Sequence, residues 1–454
     1  MPPLPNDLRH GLDLQKAGKL AEAGACYERI LRREPGNATV LHLLGVIRLA
    51  TGRIGESVVL FRRCLSLRPQ FPEALTNLGR ALLALNKPLE ALEAHERALT
   101  INPRLAEIHG NLGNTLKFLH RTDEAIDSYR RALEIWPDSA DLKYNIALVY
   151  LLKGDLLRGW EGYESRWDRK KSSGRRPLSQ PRWQGKSSLE GKSLFVYAEQ
   201  GLGDTLQFAR YVPLLTGQGA AVRLEVQPSL KALLSAQFPG TIVSAKGELV
   251  PPFDLHCPLL SLPGAWGTEL DSIPGAVPYL RAPADRAAEW RRRLAEKKGL
   301  NIGLTWSGSA AHQSDRHRSI PLAVFSEAFC DLTANFYSLQ KEARPGDAAA
   351  LASLTSVTDL GPQLQDFSDT AAVVANLDLV ITVDTAVAHL AGALGVRTWL
   401  LLPFAPDWRW LLDRRDSPWY PSIRLYRQSV PGDWNPILKD LRFDLGNLLG
   451  DSKV

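Results

Sequence analysis

Cysteine is scarce in this chain: the sequence has four, and they lie far apart. None belongs to a C-x-x-C pair, so free thiols in a reducing compartment are favoured over disulfides or a zinc site. No apolar run approaches the ~20 residues that cross a bilayer. The first residues also lack the charged start and apolar core of a signal peptide. We therefore expect a cytoplasmic protein without a membrane span.

A strong excess of charge of one sign is lacking as well. The formal net charge of +6 is small for 454 residues, and we find no recognised nucleic-acid-binding motif. The most concentrated basic run, residues 169–176, is interpreted as part of a solvated linker rather than as a binding patch. Nucleic acid is therefore not expected among the partners.

The first third of the chain repeats with a period of 34 residues. Small residues at fixed places let paired helices approach closely, and proline ends the second helix of each pair because it cannot continue the hydrogen-bond ladder. Such units cannot bury their apolar faces alone, so they stack. The pattern resembles the tetratricopeptide repeat, with about five units over residues 4–170, and predicts an α-solenoid. The recurring residues are prolines at 35, 69, 103 and 137, glycines at 11, 45, 79 and 113, and large rings at 27, 61, 95, 129 and 163.

Asparagine forms a further column of the repeat, at Asn77, Asn111 and Asn145. On the first helix of each unit this column is expected to face the concave groove, where carboxamides can donate and accept hydrogen bonds along an extended peptide. The array resembles that of protein O-GlcNAc transferases, in which an asparagine ladder lines the superhelix. The resemblance implies a protein or peptide acceptor in the groove. The alternative is that the asparagines only solvate it.

The rest of the chain alternates short β-rich runs with helical patterns after a predicted basic linker at residues 171–190. Such alternation is typical of parallel sheets with crossover helices. It breaks near residues 272–278 and then restarts, so we expect two lobes, at 191–282 and 283–449. The predicted strands are 193–198, 222–227, 241–243, 253–257, 301–306, 336–339, 377–383, 398–402 and 423–426.

Two short segments, residues 199–205 and 383–389, each connect a predicted strand to a predicted helix. Such a turn points backbone N–H groups at whatever lies above the sheet edge, which suits a diphosphate. Gly201 and Gly203 permit a tight turn in the first segment. Ligands of open α/β sheets bind beyond the carboxyl ends of the strands. The two turns therefore predict an enzyme with a nucleotide-linked substrate between two domains.

The second region is similar to bacterial-type glycosyltransferases related to the ADP-heptose–lipopolysaccharide heptosyltransferases (glycosyltransferase family 9), in the subgroup fused to tetratricopeptide repeats. The resemblance covers essentially all of this region. It implies a GT-B fold of two Rossmann-like lobes, a nucleotide-sugar donor held mainly by the second lobe, and inversion at the anomeric carbon. The segments that carry the resemblance are residues 199–211, 303–308, 315–321 and 384–389.

The resemblance also implies roles for individual residues. Asp204 would be the general base that takes the proton from the acceptor hydroxyl, although helix capping is an alternative role for an aspartate at that place. Asp384, Thr385 and His389 would hold the donor, while His389 is equally open to a structural interpretation. Ala386 stands where the family usually has glycine, which puts close approach of the backbone to the donor in doubt.

The sequence has no Asp-x-Asp motif that could hold a metal, so we expect neither a metal nor another cofactor. The charge of the departing nucleoside diphosphate must then be stabilised by side chains. Arg316 and Arg318 stand where the family places a basic phosphate contact, and the planar guanidinium suits phosphate; surface arginines are the alternative. Further candidates for donor binding are Gly201, Gly203, Trp306, Ser307, Gly308 and Gln340, with His312 as an alternative base or donor contact.

The sequence thus predicts an inverting, metal-independent glycosyltransferase. It would move a sugar from a nucleotide sugar to a Ser/Thr hydroxyl of a protein that the repeat groove selects. Two alternatives stay open: a heptosyltransferase-like enzyme that acts on a cell-surface glycan, and a non-catalytic repeat scaffold whose transferase region has decayed. Asp204 with its glycines argues against decay, whereas Ala386 argues weakly for it.

Overall fold

The computed structural model describes residues 6–169, 175–312 and 315–451. It divides into two compact units, Met1–Val149 and Tyr150–Val454. Positions 4, 5 and 170 of the predicted repeat region, and 171–174 of the predicted linker, lie outside the described residues. In the described part of the chain, no helix is long and apolar enough to cross a membrane.

The first unit is built from helix pairs that follow the predicted period. Successive first helices begin at Ala38, Pro72, Ala106 and Ala140, which are 34 residues apart. The last of these helices extends past the boundary between the units. The helices are α1 (Asn6–Lys16), α2 (Leu20–Arg33), α3 (Ala38–Ala50), α4 (Ile54–Leu67), α5 (Pro72–Ala84), α6 (Pro88–Ile101), α7 (Ala106–Phe118), α8 (Thr122–Ile135) and α9 (Ala140–Lys153).

The glycine column explains the close packing within each pair. A Cβ on Gly45 would lie 2.6 Å from Cε1 of Phe61, and a Cβ on Gly113 would lie 2.6 Å from Cε1 of Tyr129. Both rings are fully buried, so they have little freedom to move aside. A side chain at the glycine position would therefore force the two helices apart. The repeat pattern thus encodes a close contact between helices.

His95 belongs to the column of large rings, but its imidazole makes no hydrogen bond among the described residues. Its side chain is fully buried, and among the described residues neither ring nitrogen has a hydrogen-bond partner. By contrast, the hydroxyl of Tyr129 in the same column donates to Oδ1 of Asn114 at 2.8 Å. Burial, with a smaller effect from Arg80, lowers the pKa of His95 to about 4. The imidazole is therefore neutral in the folded protein at neutral pH.

His95→Phe is expected to make the first unit less sensitive to acid. The unfolded chain protonates His95 near pH 6.5, whereas the folded chain does so only near pH 4. Stability is therefore lost as the pH falls through this window, by about 2 kcal/mol at pH 5. Melting temperatures at pH 7 and pH 5 should fall less in the variant than in the wild type. The control is His10→Phe at an exposed position, and an equal fall in wild type and His95→Phe would contradict the prediction.

Within the described residues, the second unit contains two parallel sheets. The first sheet has the strand order β3-β2-β1-β4, and the second has the order β10-β9-β8-β5-β6-β7. All of the neighbouring strands run parallel. The strands are β1 (Ser193–Tyr197), β2 (Ala221–Val226), β3 (Ile242–Ala245), β4 (Leu255–Pro258), β5 (Asn301–Thr305), β6 (Asn335–Ser338), β7 (Val357–Asp359), β8 (Leu379–Val383), β9 (Thr398–Leu402) and β10 (Ile423–Arg427).

Helices connect these strands. The helices of the second unit are α10 (Leu156–Tyr163), α11 (Leu202–Phe208), α12 (Val212–Gly217), α13 (Pro228–Ser235), α14 (Leu262–Trp266), α15 (Ala284–Ala295), α16 (Asp315–Arg318), α17 (Leu322–Phe325), α18 (Pro345–Ser353), α19 (Phe367–Val374), α20 (Ala386–Ala393) and α21 (Asn435–Asp451).

The predicted parallel sheets are confirmed, and each predicted strand is present with shifts of a few residues at its ends. The predictions omitted β7. This strand has three residues, and two of them, Thr358 and Asp359, are exposed, so it shows no apolar run. Strand β8 is buried throughout because successive side chains enter different hydrophobic clusters: Ile381 enters one and Val380 the other. A sheet covered on both faces has this pattern.

The described part of the predicted linker is docked on the first sheet. Arg176 forms an ion pair with the buried Glu225 of β2, and its guanidinium lies over the ring of Tyr197, 4.6 Å from the centroid. Arg182 forms an ion pair with Glu164. The interpretation of residues 169–176 as solvated was therefore wrong for Arg176, because its guanidinium pairs with a carboxylate of the folded unit.

Candidate functional site

Both predicted turns lie at places where the strand order of a sheet reverses. In the second sheet the chain runs from β5 through β6 to β7 on one side, and then returns to place β8 on the other side of β5. In the first sheet β2 and β4 lie on opposite sides of β1 in the same way. The crevice beyond the carboxyl ends of such strands is the usual binding site of open α/β sheets. The turns follow β1 and β8, so they open at these crevices.

The two turns are also in direct contact with each other. Helices α11 and α20, which follow the turns, pack together. A Cβ on Gly203 would lie 2.6 Å from Cδ2 of His389 and 3.6 Å from Cα of Ala386. The space between Gly203 and His389 is therefore filled, and a diphosphate does not fit there. Any donor has to lie to one side of this contact.

Asp204 is the third residue of α11, and both of its carboxylate oxygens accept hydrogen bonds. Oδ2 accepts the backbone N–H of Gly201 at 2.7 Å, which is half of a capping box. Oδ1 accepts from the guanidinium of Arg409. The side chain is 17% exposed. Asp204 thus stabilises the start of its helix, as the capping interpretation expected, and is also held by a buried arginine.

Arg409 is a site residue that the sequence reasoning missed. It lies in the short 3-10 turn Trp408–Trp410 and is buried. Its Nε donates to Oε1 of Gln207 at 2.6 Å, and Nη1 donates to Oδ1 of Asp407 at 2.8 Å. Burial alone would lower the pKa of Arg409, but the carboxylates of Asp407 and Asp204 outweigh it and raise the pKa. An arginine between two tryptophans is the signal in the sequence that could have indicated a buried cation.

His389 lies in an aromatic environment. Its Nδ1 is 2.9 Å from the hydroxyl of Tyr420, and its ring stacks on Trp410 with the centroids 5.3 Å apart. Burial, followed by the charges of Arg409 and other arginines, lowers the pKa of His389 well below its ordinary value. The imidazole is therefore neutral, so it offers no positive charge to a phosphate group.

Arg318 is the predicted phosphate contact that reaches the crevice. Its Nη1 donates to the backbone carbonyl of Asp384 at 2.8 Å, which joins the loop after β5 to the turn after β8. A Cβ on Gly308 would lie 2.5 Å from Nη2 of Arg318, so only glycine allows this approach. Burial, together with the nearby Asp407, raises the pKa of the Asp384 carboxyl to about 6.

Polar groups continue along the loop after β5. The N–H of Ser307 donates to Oε1 of Gln340 at 3.2 Å, while the Ser307 hydroxyl is buried without a partner among the residues that the structure describes. Arg344, a second basic residue that the sequence reasoning missed, donates to the carbonyl of Gly308 at 3.3 Å and pairs with Asp315. The crevice thus combines two arginines with an unpartnered hydroxyl.

Thr385 lies at the start of α20. It is the N-cap residue of that helix, and its side chain forms no capping hydrogen bond. Its Oγ1 lies 3.2 Å from Oγ1 of Thr382. The hydroxyl therefore sits beside the crevice, where the first N–H groups of the helix also lie.

Two residues that the sequence assigned to the donor site lie apart from this group. The ring of Trp306 is fully buried in the hydrophobic core, where its N–H donates to Oδ2 of Asp347 at 3.1 Å, so its assignment to donor binding is corrected. The side chain of Arg316 is exposed, and its Nε donates to Nε2 of His317 at 3.1 Å. His312 is exposed as well, but it lies near this group: desolvation and the charge of Arg318 lower its pKa, and the carboxylates of Asp407, Asp315 and Asp204 oppose that shift. Spacing alone did not distinguish Arg316 from Arg318.

The asparagine column lies on the first helices of successive pairs, in α5, α7 and α9. Nδ2 of Asn77 is 3.1 Å from Nε2 of His42 on the preceding first helix, and Asn77 is 8% exposed. Asn145 donates to Oδ1 of Asn114 on α7 at 3.4 Å. Asn111 and Asn145 are half-buried. Asn77 and Asn145 therefore connect neighbouring helix pairs, and the side chain of Asn77 is largely buried in that contact.

Comparison with known proteins identifies the repeats. Models of the tetratricopeptide repeat match residues 8–70, 48–106 and 106–139, so this part of the chain is a tetratricopeptide array. Among solved structures, the repeat region is similar to TTC0263, a thermophilic TPR protein of Thermus thermophilus, with 23% identity, 37% of this chain and 92% of that chain covered, and a TM-score of 0.34. MamA is similar too, with 23% identity, coverage of 34% and 91%, and a TM-score of 0.31.

One curated relative extends beyond the repeats. FlbA from Caulobacter vibrioides is 27% identical over 321 residues, with 65% of this chain and 53% of FlbA covered. The chain thus spans about half the length of this relative. The first unit ends at Val149 and holds about a third of the 454 residues. An alignment of 65% therefore continues into the second unit.

Proposed function

We propose that the second unit is a nucleotide-sugar-dependent glycosyltransferase and that the tetratricopeptide array binds its protein acceptor. The observation that carries the proposal is the meeting of Arg318, Gly308 and Asp384 beyond the carboxyl ends of β5 and β8, where the strand order reverses. A cation that remains charged when buried, a close backbone approach and a strand end suit an anionic nucleotide.

The diphosphate would lie against Arg318, with Arg344 and the hydroxyl of Ser307 as further donors. Arginine stabilises a leaving phosphate without a metal, because its charge persists and its N–H groups form paired hydrogen bonds. The contact of Gly203 with His389 leaves no room for the donor between these two residues, and we place the donor beside Arg318. We therefore assign donor binding to the loop after β5 and the turn after β8.

Asp204 is proposed as the general base toward a Ser/Thr hydroxyl of the acceptor. Its carboxylate lies on the first sheet's turn, and Arg409 holds one oxygen in place. The other oxygen is bound by a single backbone N–H, which a proton-donating hydroxyl can replace. Arg409 would orient the base. The hydroxyl proton would pass to Oδ2 as the hydroxyl oxygen bonds to the anomeric carbon and the bond from that carbon to the nucleoside diphosphate breaks.

A non-catalytic scaffold is the second candidate. Two observations favour it: both oxygens of Asp204 are already bound, and the two turns are in contact. In that case the array would bind its partner, and the second unit would bind a nucleotide without turnover, or bind none.

Arg318→Ala is expected to weaken the binding of a nucleoside diphosphate about 10- to 100-fold, since it removes charge-assisted hydrogen bonds. Arg316→Ala, two positions away and exposed, is the matched control and should change affinity little. The measurement is a thermal-shift titration with UDP, GDP, ADP, TDP and CMP and their sugars, with and without EDTA. Absence of any shift in the wild type, or equal loss in both variants, would contradict the donor site.

Asp204→Asn is expected to lower release of nucleoside diphosphate from the cognate nucleotide sugar about 100-fold or more, because it removes the proton acceptor. Nucleotide affinity should be retained, because Arg318 donates to the carbonyl of Asp384 and not to the carboxylate of Asp204. Release is followed by chromatography of the nucleotide products. Unchanged turnover in the variant would remove Asp204 from the chemistry, and no turnover in the wild type would favour the scaffold.

Replacing Asn111 and Asn145 together by alanine is expected to raise the KM for a protein acceptor about tenfold, through loss of hydrogen bonds in the groove. Donor affinity should not change. Thr100→Ala, on the second helix α6 and exposed, serves as the control. Acceptor kinetics identical to those of the wild type would show that the asparagine column does not bind the acceptor.

A further inference from the structure

Helix α10 belongs to the repeat pattern by sequence, yet it packs among the site elements of the second unit. Gly159 continues a column of small residues at positions 23, 57, 91 and 125, and Tyr163 continues the column of large rings. Its buried side chains include Trp160 and Tyr163. These two side chains contact the turn after β1, which leads to Asp204, and the 3-10 turn Trp408–Trp410, which contains Arg409.

Tyr163 contacts the first of these turns directly. Its hydroxyl accepts a hydrogen bond from Nε2 of Gln200 at 2.9 Å. The carbonyl of Gln200 accepts from Nε2 of Gln227 at 2.8 Å, and Oε1 of Gln227 accepts from the hydroxyl of Thr205 at 2.9 Å. Gln200 immediately precedes Gly201, whose N–H binds Asp204. The backbone that positions Asp204 is thus held from α10 on one side and from the end of β2 on the other.

Arg166, in the short 3-10 helix after α10, holds the preceding residue of the same turn. Its Nη2 donates to Oε1 of Glu199 at 2.7 Å and to the hydroxyl of Ser261 at 2.6 Å. Its Nη1 donates to Oε1 of Glu164 at 2.9 Å. Both Arg166 and Glu199 have side chains that are 6% exposed. Nε of Arg166 and Oε2 of Glu199 are buried without a hydrogen-bond partner among the described residues, so losing any of these contacts would leave still more polar groups buried and unpaired.

Trp160 supports the 3-10 turn Trp408–Trp410. Its ring packs edge-on against Trp408 with the centroids 5.3 Å apart, and against Phe208 of α11 at 6.5 Å. Its N–H donates to the carbonyl of Thr268 at 2.9 Å, which fixes the ring. The guanidinium of Arg409 also lies over the ring of Trp408, 4.3 Å from its centroid. Trp160 therefore packs against the residue that immediately precedes Arg409.

We propose that Trp160, Tyr163 and Arg166, here called the terminal-helix clamp, are positioning residues. They hold the turn after β1 and the 3-10 turn Trp408–Trp410 so that Asp204 and Arg409 meet. A catalytic consequence of the clamp rests on the proposed function, whereas its structural action does not. None of the three side chains needs to touch a substrate. The last helix of the repeat pattern would then be a working part of the site rather than a spacer.

Hydrogen–deuterium exchange of the full-length protein tests the structural action. In Tyr163→Phe, which removes only the hydroxyl, and in Arg166→Lys, the amides of residues 199–208 should exchange roughly two- to tenfold faster. Ser165→Ala is the matched control, because its hydroxyl donates to Gly162 within the same segment. Unchanged exchange at 199–208 in Tyr163→Phe, or an equal rise across the whole second unit, would overturn the proposal.

Kinetics test the catalytic consequence. Tyr163→Phe should lower kcat by roughly two- to tenfold while nucleotide affinity stays unchanged, because the loosened turn carries Asp204 and not the donor contacts. A merely structural defect would instead reduce both in proportion to the folded fraction. If the protein binds no nucleotide but exchange rises only at 199–208, the clamp is supported and the proposed function fails. If turnover is present and exchange does not change, the clamp fails alone.

Discussion

The second unit depends on the buried guanidinium of Arg409. A charge taken out of water is tolerated only when partners surround it, and here Gln207, Asp204 and Asp407 supply three hydrogen bonds. Two of these partners come from α11, after the first sheet's central strand β1, and the third comes from the turn after β9. Arg409 therefore ties the turn of the first sheet to the second sheet, in addition to the contact between Gly203 and His389. Removing any partner would leave charge or polar groups buried and unpaired.

Burial also decides which residue types can carry positive charge at this crevice. The environment that lowers the pKa of His389 leaves arginine protonated, because the guanidinium pKa is so high. Arg318 and Arg344 thus offer charge where a histidine would be neutral. This contrast is the physical reason for proposing arginine rather than His389 as the phosphate contact. Burial, together with the nearby Asp407, raises the pKa of Asp384 in the same crevice.

The parts of the fold that depend on local periodicity were predictable. The repeat period located the helix pairs because glycine and ring columns must meet at a fixed spacing, as Gly113 and Tyr129 do. Wholly buried strands such as Thr398–Leu402 appeared in the sequence as apolar runs with the observed ends. Strand β7 did not, because three residues with two exposed side chains leave no such run. Docking of Arg176 on Glu225 was likewise invisible, since the carboxylate lies 49 residues away.

The sequence by itself determined that stacked helix pairs are followed by two parallel sheets, and that sharp turns into helices follow strands β1 and β8. Those features follow from spacing between near neighbours in the chain. Only the tertiary structure decided that Arg318 rather than Arg316 reaches the crevice, that Trp306 belongs to the core, and that Arg409 binds an aspartate 205 residues away. These outcomes depend on which strand ends become neighbours and which side chains lose water. Spacing along the chain carries no record of either.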